Sequence, residues 1–165
     1  MKNILVSIDF SEITDLLIEH ASQLARAFGA TVRILHVAPP DPAFASSKAW
    51  PQEVRDELAR EFHEEHDLLR KMAGRVEEQG IPARVLMDRG PIVDTILAMA
   101  KRTESDLIIL GSRTHGAFFQ LAPRSIVKGI IGRSQCPVLV IPQLSTESEG
   151  ALGGEGEGEE EEEED

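Results

Sequence analysis

The sequence predicts an α/β protein built around one parallel β-sheet, because short apolar segments alternate with helical patterns along the chain. The apolar segments are four to six residues long, are rich in Ile, Val and Leu, and lie close to Gly, Pro or Asp. Continuous runs of this length are typical of strands buried on both faces. The alternation implies right-handed crossovers, which place helices on both faces of the sheet. The predicted strands are Ile4–Ile8, Val32–Val37, Ala83–Met87, Leu107–Leu110 and Val138–Ile141.

The first two predicted helices are delimited by capping signals. The first covers about Ser11 to Phe28, with Ser11 as the expected N-cap and Gly29 as the residue that stops it. The second begins near Trp50-Pro51, because proline favours the first turn of a helix, and it ends at Gly80. Its apolar residues fall on one face, which predicts a helix packed on the sheet: Val54, Leu58, Phe62, Leu69, Met72 and Val76.

Two shorter helices complete the pattern. The third covers about Ile92 to Lys101, and the fourth covers about Arg124 to Arg133, before Cys136-Pro137. The residues of the third helix that are expected to face inward are Ile92, Ile96, Leu97, Met99 and Ala100.

Ligands of such folds bind beyond the carboxyl ends of the strands, where the strand order reverses.

Length and charge divide the chain into a folded body and a tail. The chain has 165 residues, which suffices for one domain of roughly 100–150 residues plus an extension. Residues 1–143 are predicted to form the domain, and residues 144–165 are predicted to be a disordered Gly- and Glu-rich tail. The tail holds ten Glu and one Asp, so it carries −11 of the net charge of −12. A body with a net charge of −1 has no excess of positive charge to neutralise phosphates, which argues against nucleic acid as a partner.

The chain is expected to be cytoplasmic. It holds a single cysteine, Cys136, which excludes an internal disulfide and fits a reducing compartment. Its first residues resemble a strand rather than a signal peptide. Its longest apolar runs are of strand length, far short of the ~20 residues that a spanning helix needs, so no membrane association is expected.

Two loops at predicted strand ends carry the candidate site. Asp9 follows the first strand, where a carboxylate can accept hydrogen bonds from a ligand or can instead stabilise its own turn. Gly111 and Gly116 lie in the loop after the fourth strand, which leads into Arg124-Ser125-Ile126. Backbone N–H groups of such a loop and of the following helix start can bind phosphate.

Four segments, in register over about Met1–Pro142, resemble the universal stress protein family. They are Asp9–Glu12, Ile34–Val37, Asp106–Arg113 and Cys136–Ile141. The resemblance implies a Rossmann-like fold of the adenine nucleotide alpha hydrolase type, with a five-stranded parallel sheet of order 3-2-1-4-5. In that order, Asp9 and Gly111 meet at the switch point between the first and fourth strands.

The resemblance also implies a site for ATP or AMP. Nucleotide-binding members carry the motif G-x2-G-x9-G-[ST], whose positions fall here on Gly111, Thr114, Arg124 and Ser125. Two of the three glycines are therefore replaced, and a side chain occupies each position. The adenosine contacts would fall on Asp9 and on the backbone of Val37. The full candidate set is Asp9, Val37, Gly111, Thr114, Gly116, Arg124, Ser125 and Ile126.

Three functional hypotheses follow. The first is a non-enzymatic stress-response binding protein, with weak or absent ATP binding, that acts through an unidentified protein partner. The second is an ATP- or AMP-binding switch, with slow ATP hydrolysis left open, in which the Arg124 guanidinium replaces lost backbone contacts to phosphate. The third assigns partner binding to the acidic tail. Because family members pair through the last strand, the resemblance implies a homodimer through Val138–Ile141, which would cover an apolar sheet edge.

No catalytic or metal-binding motif stands out beside these segments. His63 and His66 are spaced i, i+3 rather than in the H-E-x-x-H pattern of zinc peptidases, so a solvated helix face is the simpler interpretation. His36 lies in an apolar strand and is expected to be a structural histidine. The chain shows no phosphate-binding loop of the Walker type and no G-x-S-x-G nucleophile turn. We therefore expect neither an enzyme nor a metal cofactor.

Overall fold

The computed structural model describes residues 1–38, 51–113 and 123–143. They form one fully parallel sheet of order β3-β2-β1-β4-β5, as expected, with four connecting helices among them. The predicted tail and the loop of residues 39–49 lie outside the described residues. The elements are β1 Asn3–Ile8, α1 Thr14–Phe28, β2 Thr31–Ala38, α2 Gln52–Glu77, β3 Ala83–Arg89, α3 Ile92–Arg102, β4 Leu107–Arg113, α4 Pro123–Ile131 and β5 Val138–Gln143.

The central strand β1 is buried on both faces. Ile4, Leu5 and Val6 are all 0% exposed. Ile4 and Val6 belong to the core layer under α1 and α2, and Leu5 belongs to the layer under α3 and α4. Alternate side chains of one strand therefore supply both cores, which explains why the sequence of this strand is continuously apolar.

The start of α1 differs from the prediction that Ser11 caps it. The helix begins at Thr14, the N-cap position is Ile13, and no side chain caps it. The Ser11 carbonyl, rather than its hydroxyl, accepts a hydrogen bond from the Thr14 N–H at 2.9 Å. Residues 11–13 consequently form a turn before the helix. Gly29 does stop the helix, with a left-handed φ of 65°.

The other helices largely follow the prediction. α2 begins at Gln52, just after Pro51, and ends at Glu77, three residues before the left-handed Gly80. In α3, Ile96, Met99 and Ala100 are buried as expected. Ile92 is 40% exposed, so the expectation that it faces inward is wrong. Within the described ranges, no helix combines the length and apolarity needed to cross a bilayer.

Asp106 fastens the start of β1 to the start of β4. Its carboxylate accepts hydrogen bonds from the Lys2 N–H and, at 2.9 Å, from the Asn3 N–H. Its own N–H donates to the Asn3 carbonyl at 2.8 Å. The hydrogen bonds from the Lys2 and Asn3 backbone stabilise the charged form, so they hold the pKa of Asp106 below its usual value of 3.8.

This lowered pKa predicts a pH-dependent contribution to stability. Because the pKa is lower in the folded chain than in the unfolded chain, the contribution is present above about pH 3.8 and is lost as the pH falls through the folded value. Asp106→Asn should lower the melting temperature near neutral pH, and the difference from wild type should shrink in acid. Thermal melts across this range check it, with the exposed Asp67→Asn as control. A difference that is constant with pH would contradict this role.

Candidate functional site

The carboxyl ends of β1, β2 and β4 surround a cavity of about 160 Å³. It lies at the point where the strand order reverses around β1, which is where folds of this class bind ligands. Four residues of the predicted set line it together: Asp9, Val37, Gly111 and Ile126. The other lining residues are Ser7, Ile8, Ser11, Ile13, Leu17, Ile92, Ile96 and Leu110.

Asp9 serves its own turn and also lines the cavity. Its Oδ1 atom accepts a hydrogen bond from the Ser11 N–H at 3.1 Å. This is the turn-stabilising role that the sequence left open. The same exposed carboxylate lies at the cavity wall, where it can accept hydrogen bonds from hydroxyl or amino groups of a ligand. The two roles are compatible, because a carboxylate has several acceptor positions.

Val37 lines the cavity near the carboxyl end of β2. Its side chain is 8% exposed and belongs to the core layer under α3 and α4. The ladder between β1 and β2 ends at the pair Ile8 and His36, one residue before Val37. On the other side, Val37 is in register with Asp88 of β3. The strand therefore extends past the end of β1, as a backbone contact to a ligand requires.

Gly111 is constrained by packing as well as by its place at the cavity. A Cβ atom at this position would lie 3.2 Å from Ile13 Cγ2 and 3.4 Å from Leu17 Cδ1. Glycine thus lets α1 approach β4 closely. The glycine motif alone did not reveal this role, because the contact comes from a helix about 100 residues earlier in the chain.

The phosphate side of the predicted site is only partly within the described residues. Thr114 and Gly116 lie outside them. Arg124 and Ser125 lie in the first turn of α4, and Ile126 follows them at the cavity wall. The first N–H groups of a helix have no partners within it, so this backbone position is suited to an anion.

Several lining residues were not identified from the sequence. Ile92 lines the cavity at the start of α3, and this position explains its unexpected exposure. Ser11 also lines it, and its hydroxyl oxygen is buried without a hydrogen-bond partner among the described residues. The Asp-x-Ser spacing after β1 is the one sequence feature that could have identified Ser11.

A second, larger groove lies at the opposite end of the sheet. It encloses about 570 Å³ between the end of α3 and the segment before β5, and it includes Cys136. None of the predicted nucleotide-site residues lines it. Among residues 1–38, 51–113 and 123–143, no group of His, Cys, Asp and Glu side chains could hold a metal ion.

Comparison with known proteins identifies the family and shows the same fold. A family model described as the universal stress protein family matches residues 1–142. A universal stress protein of Methanocaldococcus jannaschii is 26% identical over 146 residues, which cover 88% of this chain and 85% of that protein.

Two solved structures share the fold. The universal stress protein of Lactobacillus plantarum is 24% identical, with a TM-score of 0.71. The match covers 85% of this chain and 97% of the Lactobacillus plantarum chain. A universal stress protein of Archaeoglobus fulgidus in complex with dAMP is 17% identical, with a TM-score of 0.60 and the same coverage of both chains.

The packing around Gly111 predicts the effect of a single methyl group. Gly111→Ala should lower the free energy of unfolding by about 1–3 kcal/mol, because the new Cβ crowds Ile13 and Leu17. Gly74→Ala is the matched control, because its Cβ would meet nothing within 4 Å in the interior of α2. It should raise the stability by about 0.5–1 kcal/mol. Urea denaturation measures both variants, and equal effects would contradict the packing role.

Proposed function

The chain belongs to the universal stress protein family, and we propose that it is a non-enzymatic binding protein for the adenosine part of adenine nucleotides. In this proposal the phosphates add little affinity. The observation that carries it is that Asp9, Val37 and Gly111 line one cavity. At the motif positions after β4, by contrast, Thr114 and Arg124 stand in place of two of the three glycines.

The nucleoside assignment is supported by the composition of the cavity wall. Apolar side chains from three elements, such as Ile13, Ile96 and Ile126, suit the faces of a base, while the Asp9 carboxylate suits ribose hydroxyls. The described cavity of about 160 Å³ lies on the nucleoside side of the predicted site, at Asp9 and Val37. The Archaeoglobus fulgidus complex with dAMP supports an adenine ligand by relationship.

The phosphate assignment depends on the motif. Glycine lets backbone N–H groups approach phosphate closely, and a side chain at either replaced position takes up part of that space. Thr114 and Arg124 therefore disfavour a tightly held triphosphate. The alternative is a switch in which the Arg124 guanidinium binds phosphate directly. The position of Arg124 in the first turn of α4 favours that alternative, because the start of a helix attracts anions.

A binding role rather than catalysis is supported by the chemistry of the wall. The polar side chains that line the described cavity are Ser7, Asp9 and Ser11, with no histidine or lysine among them. A general base and a group that orients it are the usual requirements for hydrolysis. We propose that the cellular effect passes through an unidentified protein partner. The acidic tail is a candidate surface for that partner.

The proposed location is the cytoplasm, and the proposed assembly is a homodimer through β5. The single cysteine supports a reducing compartment. β5 forms the edge of the sheet, and its first three residues, Val138–Val140, are half-buried in the single chain. An apolar edge strand invites pairing with another strand, and a two-fold axis lets two copies cover each other.

The proposed ligand preference predicts the affinities of three compounds. Adenosine, AMP and ATP should bind with dissociation constants within about tenfold of one another, as measured by isothermal titration. Asp9→Asn should weaken adenosine binding about 5- to 10-fold, because the charged acceptor is lost. It should leave the melting temperature nearly unchanged, because asparagine can keep the hydrogen bond to the Ser11 N–H. ATP binding far tighter than adenosine would contradict the proposal.

Restoring the glycines separates the two versions of the function. The double variant Thr114→Gly, Arg124→Gly should strengthen ATP binding more than adenosine binding if side chains obstruct the phosphates. Arg124→Gly alone should weaken ATP binding if the guanidinium is the phosphate ligand. The same titrations therefore decide between the proposed function and the alternative.

The proposed dimer predicts the effect of a charge on the edge strand. Val140→Lys should weaken self-association at least about tenfold, because each copy would place a charged side chain in the apolar strand pair. Leu68→Lys is the control. Leu68 is 44% exposed on α2, which packs on β2 and β3 away from β5. Sedimentation at micromolar concentration measures both variants, and a monomeric wild-type chain would overturn the dimer.

A further inference from the structure

His36 of β2 contacts β1, the loop after β1 and α2. Its Nδ1 atom lies 3.1 Å from the Ile8 carbonyl, at the last residue of β1. Because a carbonyl only accepts, Nδ1 must carry the proton of this hydrogen bond. Its Nε2 atom lies 3.7 Å from Glu65 Oε1 of α2. The residue is 8% exposed, so the hydrogen bond to Ile8 fixes a ring that lies within the core.

The same ring supports an unusual backbone conformation in the loop. Phe10 has a φ of 56°, which is an outlier for a bulky side chain. Its ring lies 4.5 Å from the His36 ring, at an interplanar angle of 45°, and it packs against the core layer under α1 and α2. Such a conformation is strained and persists only where the surroundings enforce it.

The position of Asp9 follows from these two contacts. Asp9 lies between Ile8, whose carbonyl binds His36, and Phe10, whose ring packs on His36. Both neighbours of Asp9 in the chain are therefore held by one imidazole. The left-handed turn at Phe10 then brings the Ser11 N–H to 3.1 Å from Asp9 Oδ1.

We propose that His36 is a positioning residue for the nucleoside site, which fixes the Asp9 carboxylate at the cavity wall without touching the ligand. This inference rests on the proposed function for its ligand, but the positioning itself can be measured in the free protein. Glu65 of α2 lies 3.7 Å from Nε2, on the side of the ring away from the Ile8 carbonyl.

The test uses variants that keep different parts of the imidazole. His36→Phe keeps an aromatic ring beside Phe10 but loses the hydrogen bond to the Ile8 carbonyl. His36→Asn places an amide near the position of Nδ1 and can restore that hydrogen bond. His36→Gln places its amide near Nε2 instead, and it replaces His36→Phe if that variant does not fold.

Two measurements are made on the full chain. Hydrogen exchange of the Ser11 amide, relative to amides of the core strands, reports the hydrogen bond to Asp9 without any ligand. Isothermal titration with adenosine reports the site. We expect faster Ser11 exchange and about 5- to 10-fold weaker adenosine binding in His36→Phe, with both values restored towards wild type in His36→Asn.

The outcomes separate the two proposals. A lower melting temperature with unchanged relative Ser11 exchange and unchanged adenosine affinity would mean that His36 only supports the core, and it would overturn the inference. Faster Ser11 exchange in a protein whose wild type binds no adenosine would support the positioning role and overturn the nucleoside site. An equal loss of adenosine affinity and of Ser11 amide protection in His36→Phe and His36→Asn would exclude the Nδ1 hydrogen bond as the cause. That result would also overturn the inference.

Discussion

The burial of β1 on both faces is the constraint on which the rest of the structure depends. Its residues Ile4, Leu5 and Val6 are fully covered, so helices must pack on both sides and strands must flank both edges. The chain meets this demand by running first towards β2 and β3 and then back across β1 to β4 and β5. Where the strand order reverses, the loops separate beyond the carboxyl end of β1 and leave a crevice. The cavity therefore follows from the strand order that buries β1.

The sequence predicted the sheet well because its strands are buried on both faces and read as continuous apolar runs. It predicted local details less well, because these depend on contacts of individual groups that the hydrophobic pattern does not specify. Ser11 has the side chain of an N-cap, yet its carbonyl satisfies the Thr14 N–H, so α1 begins three residues later. Ile92 matches the apolar face of α3, yet its position at the cavity wall leaves it exposed.

The juxtaposition of the candidate residues was predictable for related reasons. Asp9 follows β1, and Val37 and Gly111 lie near the carboxyl ends of β2 and β4, so the topology implied by the resemblance brings all three to one cavity. The left-handed conformation of Phe10 was not predictable, because phenylalanine does not favour it. The packing role of Gly111 and the contacts of His36 could not be predicted for a different reason. Each depends on a side chain from another element that sequence spacing does not reveal.

The two halves of the proposed nucleotide site therefore differ in what supports them. Asp9 is held by β1, by the Phe10 turn and by His36, all of which pack on the core, and the Val37 side chain is itself part of the core. A phosphate cradle of this family type depends instead on glycines whose value is the absence of a side chain. Side chains at Thr114 and Arg124 can alter such a cradle without disturbing the sheet, whereas loss of the Asp9 support would disturb β1. On these physical grounds, the nucleoside half should be the more robust part of the proposed site.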